Sequence, residues 1–265
     1  MTCAALSHEK TFAIHIRVYT ETMRKNRYIQ TARSIARHLI TRLGLAPTIA
    51  ATKRWFGKDV RRRLGGGGAE AFRHIYRAEI WNRAQSTVPV SGPGSSLDAT
   101  VTIRRSLPGL FETIDCETLL DVGCGDQSWI SALRLKQKYV GIDIVPELIE
   151  ENRRLYPERE YHCVDAVADD LPEADTVLCR EVLFHLSLAD GQSLIRNLGR
   201  KRRRFLIATT DEVTLFNADI QSGDFRYLNL RRRPFRFPEP DYSIVDDRLV
   251  SNRLLSVWRF DRLPV

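Results

Sequence analysis

Residues 119–129 read LLDVGCGDQSW, and this stretch decides the fold. Three apolar residues run into two glycines, with acids at Asp121 and Asp126. The pattern predicts a buried strand ending at Asp121, a tight turn through Gly123 and Gly125, and a helix starting near Asp126. Open α/β sheets bind ligands at the carboxyl ends of their strands, and glycines there let a ligand approach the backbone.

Outward from this point the rhythm repeats. TLLDVGC, KYVGIDI, EYHCVDA, DTVLCREV and RFLIATT are short apolar runs, and helix-compatible stretches at 126–137, 146–156 and 188–200 separate several of them. Such alternation predicts a doubly wound, mostly parallel sheet with helices on both faces. The tail offers YSIVDD (242–247) and LLSVWRF (254–260), read as a hairpin closing the sheet edge. Upstream, Phe72, Ile75, Tyr76, Ile80 and Trp81 stand at helical intervals, VPVSGPGSS (88–96) requires a shaped loop, and 97–112 returns to a helical pattern.

The chain has 265 residues, 43% of them hydrophobic, enough for one α/β domain and an extension. No apolar run approaches the roughly 18 residues of a membrane span, and MTCAALSHEKTF lacks the charged start and apolar stretch of a signal peptide. Cys3, Cys116, Cys124, Cys163 and Cys179 form no C-x-x-C pair, so reduced thiols in a cytoplasmic protein are expected, with no zinc site.

The net charge of +8 is uneven: residues 1–64 hold 14 Lys+Arg against 3 Asp+Glu, a balance of +11, and the rest hold 27 against 30, a balance of −3. The basic character therefore belongs to an arm, and specific nucleic-acid binding by the domain is not expected. The organisation read is a basic, partly helical arm with a glycine link over 1–68 and one domain over 69–265. Within the arm, 33–47 has the spacing of an amphipathic helix, suited to a membrane surface or a partner protein; a plain extension is the alternative.

Asp143 ends the second strand and Asp165 the third, where acids can take the hydroxyls of a ribose and the amino edge of a base. A dinucleotide fingerprint wants a third glycine, where Ser128 stands, and Asp121 and Asp126 would repel a pyrophosphate. The acids suit a ligand carrying an ammonium or sulfonium group, which favours S-adenosylmethionine.

With these residues in place, LLDVGCGD…YVGIDIVPELIEENRRLYP…VDAVADDLPEADTVLCREVLFHLS resembles a class I S-adenosylmethionine-dependent methyltransferase over roughly 70–265. IYRAEIW…SGPGSSL, with ATT…FNADIQSGDFRYLNLRRRPFRFPEP, further resembles a bacterial subgroup with an SGPGS lid, often associated with saccharide modification. The resemblance implies a Rossmann-like seven-stranded sheet. It implies that Asp121, Gly123, Cys124 and Gly125 hold the methionine part of S-adenosylmethionine, that Asp143 binds the ribose with Ile144 beside the adenine, and that Asp165 and Ala166 meet the adenine edge. Trp81 and the lid residues Ser91, Gly92, Gly94 and Ser95 would cover the cofactor. The subgroup carries G-W-R where this chain has DFR, so Phe225 stands for a tryptophan.

At the fourth strand, Arg180 and Glu181 precede His185 by about a turn. His185 is the candidate base for a hydroxyl acceptor, against a structural histidine; Arg180 is read as a carboxylate ligand of cofactor or substrate, against a salt bridge; Glu181 is the next catalytic candidate. The long 211–240 segment brings Asn217, Asp219, Asn229 and Phe225 as a candidate wall for a small-molecule or glycan acceptor. Glu181, Asp211 and Asp219 are together a candidate group for a divalent ion, but no metal-ligand spacing demands one and none is assigned as a metal ligand. The reading is methyl transfer to oxygen of a saccharide; the rivals are N-methylation of a small amine and a cofactor-binding but inactive partner protein. The N-P-P-Y type of base-methylating motif is absent, CREV standing in its place.

If the arm serves docking alone, a chain starting at Ala69 folds and binds S-adenosylhomocysteine as the full chain does. Circular dichroism and calorimetry check this; failure to fold would put the arm in the core.

Overall fold

The computed structural model describes residues 68–78, 89–246 and 253–264, with two helical, exposed residues before them, Ala32 and Ala36. Apart from those two and Gly68, the arm lies outside the described residues, as do Ile80 and Trp81. Seven strands form one sheet: β1 (Thr118–Val122), β2 (Lys138–Asp143), β3 (Glu160–Cys163), β4 (Thr176–Cys179), β5 (Phe205–Asp211), β6 (Tyr242–Val245) and β7 (Arg253–Arg259). Their order is β3-β2-β1-β4-β5-β7-β6. The first five are parallel, and β7 runs antiparallel between β5 and β6, so the expected tail hairpin closes the edge. The chain moves outward from β1 to β3, then returns to the other side of β1 at β4. That reversal opens a crevice at the carboxyl ends of β1 and β4.

Four helices of the described residues are α1 (Ala69–Arg77), α2 (Val101–Thr113), α3 (Pro146–Leu155) and α4 (Leu188–Leu198). Alternate residues of each strand point to opposite faces. Leu120, Val177 and Leu206 join Leu194, Ile195 and Leu198 of α4 in one core. Leu119, Leu178 and Ile207 join Ile103, Leu107 and Phe111 of α2 and Ile149 of α3 in the other. β1, β2, β4, β5 and β7 are buried on both faces, which explains their nearly continuous apolar runs, whereas β3 and β6 at the sheet edges are partly exposed.

One expected helix is absent. After β1 the chain makes only a 3-10 turn at Ile130–Ala132. Gln127 has φ of 59°, and a left-handed residue interrupts a right-handed helix at its start. Gln127 is buried, and Trp129, Ile130 and Leu133 fill the core on the α2 side.

Leu120 is fully buried in the central strand, whereas Leu97 is half exposed. Leu120→Ala should lower the unfolding free energy by about 2–5 kcal/mol, and Leu97→Ala by less than about 0.5 kcal/mol. Urea denaturation measures both.

Candidate active site

The glycine turn is shaped by what surrounds it. Gly123 and Gly125 have φ of 67° and 57°. A Cβ on Gly123 would strike Val182, and one on Gly125 would strike Ser91 Oγ, so both positions exclude a side chain. The Asp143 carboxylate at the end of β2 accepts from Gly125 N–H at 3.1 Å and from Val145 N–H at 3.0 Å. It thereby pins the turn to the next strand.

Asp121 is buried, and its Oδ2 accepts from the Tyr139 hydroxyl at 2.7 Å. Burial pushes the Asp121 carboxyl up to about 7, opposed by the Tyr139 hydroxyl and reinforced by the Asp143 carboxylate. Gln127 holds this arrangement: its Nε2 donates to Tyr139 Oη at 2.8 Å and to the Cys124 carbonyl at 3.1 Å, while its Oε1 accepts from Tyr161 and Arg159, each at 3.0 Å.

The chain before β1 closes over the turn. Ser91 N–H donates to Asp126 Oδ2 at 3.2 Å and Asp126 N–H donates to Ser91 Oγ at 2.9 Å, a reciprocal clasp between lid loop and glycine turn. Helix α1 brings Phe72 and Tyr76 to the same space, and Arg77 Nε donates to Glu147 of α3 at 2.8 Å. A cavity of about 450 Å³ results, within the range of ligand sites.

Arg180 and Glu181 lie at its floor. Arg180 Nε donates to Asp246 Oδ1 at 2.7 Å, Nη2 donates to the Gly94 carbonyl at 2.9 Å, and the guanidinium lies 5.2 Å from the Trp129 ring centre. Glu181 has φ of 63° and pairs with Arg253. Burial pushes the Glu181 carboxyl up, but the Arg180 and Arg253 guanidinium groups outweigh it and hold it below its ordinary value. Gly94 packs against Glu181, where a Cβ would come within 2.6 Å of Oε2. Of the two readings of Arg180, the salt bridge is the one in place: it fastens the lid loop to the far edge of the sheet.

His185 ends a 3-10 turn after β4 and also lines the cavity. Its Nδ1 lies 2.9 Å from the Asp224 carbonyl oxygen, which can only accept; Nδ1 therefore carries the proton, and Nε2 is the basic nitrogen of the neutral ring. Burial lowers the imidazole pKa, against the opposing pull of the Asp224 carbonyl and Glu181.

Of the sequence candidates, Ser91, Ser95, Asp121, Gly123, Cys124, Gly125, Asp143, Ile144, Asp165, Ala166, Arg180, Glu181 and His185 all line this cavity. Gly92 and Gly94 shape the lid loop without lining it. The four acceptor-wall candidates do not reach it. The Asn217 amide donates to the carbonyls of Asn229 and Arg233, and the Asn229 amide to those of Glu212 and Thr214, so both are spent on folding their own loop. Asp219 accepts from Leu188 N–H at the start of α4, and Phe225 packs on Phe184, His185 and Tyr227. The sequence pattern did not mark Phe72, Tyr76, Trp129, Asp190 and Ser222 for the site, which they line together with Asp126. The helical spacing of Phe72 and Tyr76 was a usable signal; Asp190 and Ser222 meet only through the fold. Among the described residues no three His, Cys, Asp or Glu side chains are grouped to hold a metal ion, and no helix is long and apolar enough to cross a membrane.

S-adenosylmethionine fits this donor set. Asp121 is buried and Asp143 half-buried, acids that an ammonium and hydroxyls would satisfy, and Ile144, Val145, Leu148, Ala166 and Val167 offer an apolar slot for a flat base. Residues 120–204 match the family described as methyltransferase domain. Residues 120–204 are a methyltransferase domain. S-adenosylmethionine is its methyl donor. The match and the sheet order support the class I family.

No curated protein matches the chain. Solved structures similar to it include the N-methyltransferase NodS of Bradyrhizobium japonicum WM9 in complex with S-adenosylhomocysteine, at 14% identity over 72% of this chain and 99% of that one, TM-score 0.48. Magnesium protoporphyrin IX methyltransferase (ChlM) of Synechocystis PCC 6803 with bound SAM is similar at 15% identity over 80% and 95%, TM-score 0.44. A Pyrococcus horikoshii OT3 protein is similar at 18% identity over 42% of this chain, TM-score 0.36, and the chain spans 57% of that protein's length.

An acid raised in the folded state contributes stability that is present below its unfolded value, near 3.8, and is lost as pH rises through about 7. Asp121→Asn cannot ionise. In the ligand-free methyltransferase its thermal stability should therefore gain on the wild type from about pH 4 to about pH 7 and hold a constant lead above that. A difference independent of pH in thermal melts would show that Asp121 is ordinary.

Proposed function

We propose that the chain methylates a hydroxyl of a saccharide or similar polyol, with His185 as general base. The observation that carries this reading is the Nδ1–carbonyl bond, which fixes the tautomer and leaves Nε2 basic at a cavity wall. When bound, S-adenosylmethionine supplies an electrophilic methyl carbon on a sulfonium whose sulfur leaves as a neutral thioether. His185 takes the acceptor's proton on Nε2, and the resulting imidazolium is stabilised by the Asp224 carbonyl and the nearby Glu181 carboxylate. Asp121 and Asp143 orient the donor; α1 and the lid loop exclude water. Arg180 and Glu181 act by holding the floor and lid in register rather than by touching the reacting atoms. Alignment supplies the greater part of the acceleration. The basic arm is assigned to docking on an acidic surface, in a cytoplasmic protein.

N-methylation of a small amine is the second reading, favoured by the carboxylates that line the cavity.

His185→Gln and His185→Ala should each lower methyl transfer to a saccharide acceptor about 10²–10⁴-fold while leaving S-adenosylhomocysteine affinity nearly intact. The wild-type rate should rise with pH through an imidazole pKa below the ordinary value of 6.5, then level off. Asp143→Ala should instead weaken S-adenosylhomocysteine binding, by about 2–4 kcal/mol for two charge-assisted hydrogen bonds. Near-normal turnover by His185→Gln with an unchanged pH profile would remove His185 from the chemistry.

A further inference from the structure

Two polar residues line the cavity beside His185 without a part in the reading above: Asp190 on the first turn of α4, and Ser222 in the loop after β5. The segment 222–224 joins them to the base. Gly223 N–H donates to the His185 carbonyl at 2.7 Å, and the Asp224 carbonyl holds His185 Nδ1. Ser222 Oγ donates to Asp190 Oδ2 and accepts from Ser187 N–H at 2.8 Å. Three consecutive residues thus fasten the imidazole and the Asp190 carboxylate to one wall. Among the described residues the other carboxylate oxygen of Asp190, Oδ1, has no hydrogen-bond partner.

The wall therefore presents acceptors: Asp190 and the basic nitrogen of His185. The rest of the cavity agrees. Its described lining carries six carboxylates, at Asp121, Asp126, Asp143, Asp165, Glu181 and Asp190, and one guanidinium, at Arg180. That guanidinium is committed to Asp246 and the Gly94 carbonyl. Asp190 itself would repel an anionic acceptor, and among the described lining residues the one guanidinium is already paired, so the cost is far above that of a lost neutral hydrogen bond. A hydroxyl or an ammonium would complete Asp190.

We propose that Asp190, held in place by Ser222, is the acceptor-recognising residue of this site, and that the acceptor is a neutral polyol or an amine bearing two neighbouring donor groups, one for Asp190 and one for His185. Phosphorylated and carboxylated acceptors are excluded. The proposal rests on the methyl-transfer reading and names its substrate class.

The test uses the full chain with methyl-labelled S-adenosylmethionine and one hexose scaffold in four forms: methyl glucoside, glucosamine, glucose 6-phosphate and glucuronate. Label should enter the first two and not the last two. Asp190→Asn keeps the shape and one acceptor oxygen but loses the charge. It should raise KM at least 10-fold for glucosamine and less for the glucoside, with kcat within about 3-fold, the signature of lost uniform binding. Ser222→Ala should raise KM for both by a smaller factor. S-adenosylhomocysteine calorimetry on every variant reports whether the fold and the donor site survive. Label in the phosphate or the uronate, an unchanged KM in Asp190→Asn, or no transfer to any of the four overturns the proposal. In the last case intact S-adenosylhomocysteine binding leaves the donor site standing, and its loss would sink the methyl-transfer reading as well.

Discussion

The buried amide of Gln127 is the constraint on which the rest of the site depends. An amide side chain offers two donors and one oxygen with two lone pairs, and here all four are used, on the Cys124 carbonyl, Tyr139, Tyr161 and Arg159. One side chain thus joins the glycine turn to β2 and to β3. It also aims the Tyr139 hydroxyl at Asp121, a hydrogen bond that opposes the rise burial imposes on that acid. A fully satisfied network of this kind rigidifies what it holds. The left-handed backbone at Gln127 costs helix formation after β1, and the network is what stabilises that choice.

Much of this was legible in the sequence because strands buried on both faces announce themselves as apolar runs, and β1, β2, β4 and β5 fell on such runs. The acids at 121, 143 and 165 were legible for a related reason: a carboxylate at the end of an apolar run needs a partner, and the sequence offers none nearby. The helix expected at 126–137 misled because its composition is helix-compatible, while its conformation is dictated by Tyr139 and Tyr161, 12 and 34 residues further on. The acceptor side misled for the opposite reason. Asn217, Asp219 and Asn229 look like ligand contacts in a long polar loop, but a loop of that length must satisfy its own carbonyls and amides, and these side chains do so. Ser222 and Asp190, which do reach the cavity, are 32 positions apart and carry no local signature.

Arg180 shows how a charged side chain in a cavity can serve architecture. Its guanidinium spans from the Gly94 carbonyl to Asp246, and Glu181 is held by Arg253 at the start of β7. Breaking one partner of a buried pair leaves the other unpaired, so these four residues stand or fall together. The result is a lid loop whose position is set by the sheet, not by the ligand.

The same contacts impose an order on biosynthesis. The lid loop near residue 94 leaves the ribosome well before the groups that seat it, Asp246 and the Arg253 that holds Glu181. Until β6 and β7 add to the sheet edge, Arg180 has no Asp246 and the loop no anchor on that side. The pocket is therefore completed in translation only after β7, when the far edge of the sheet meets the lid loop.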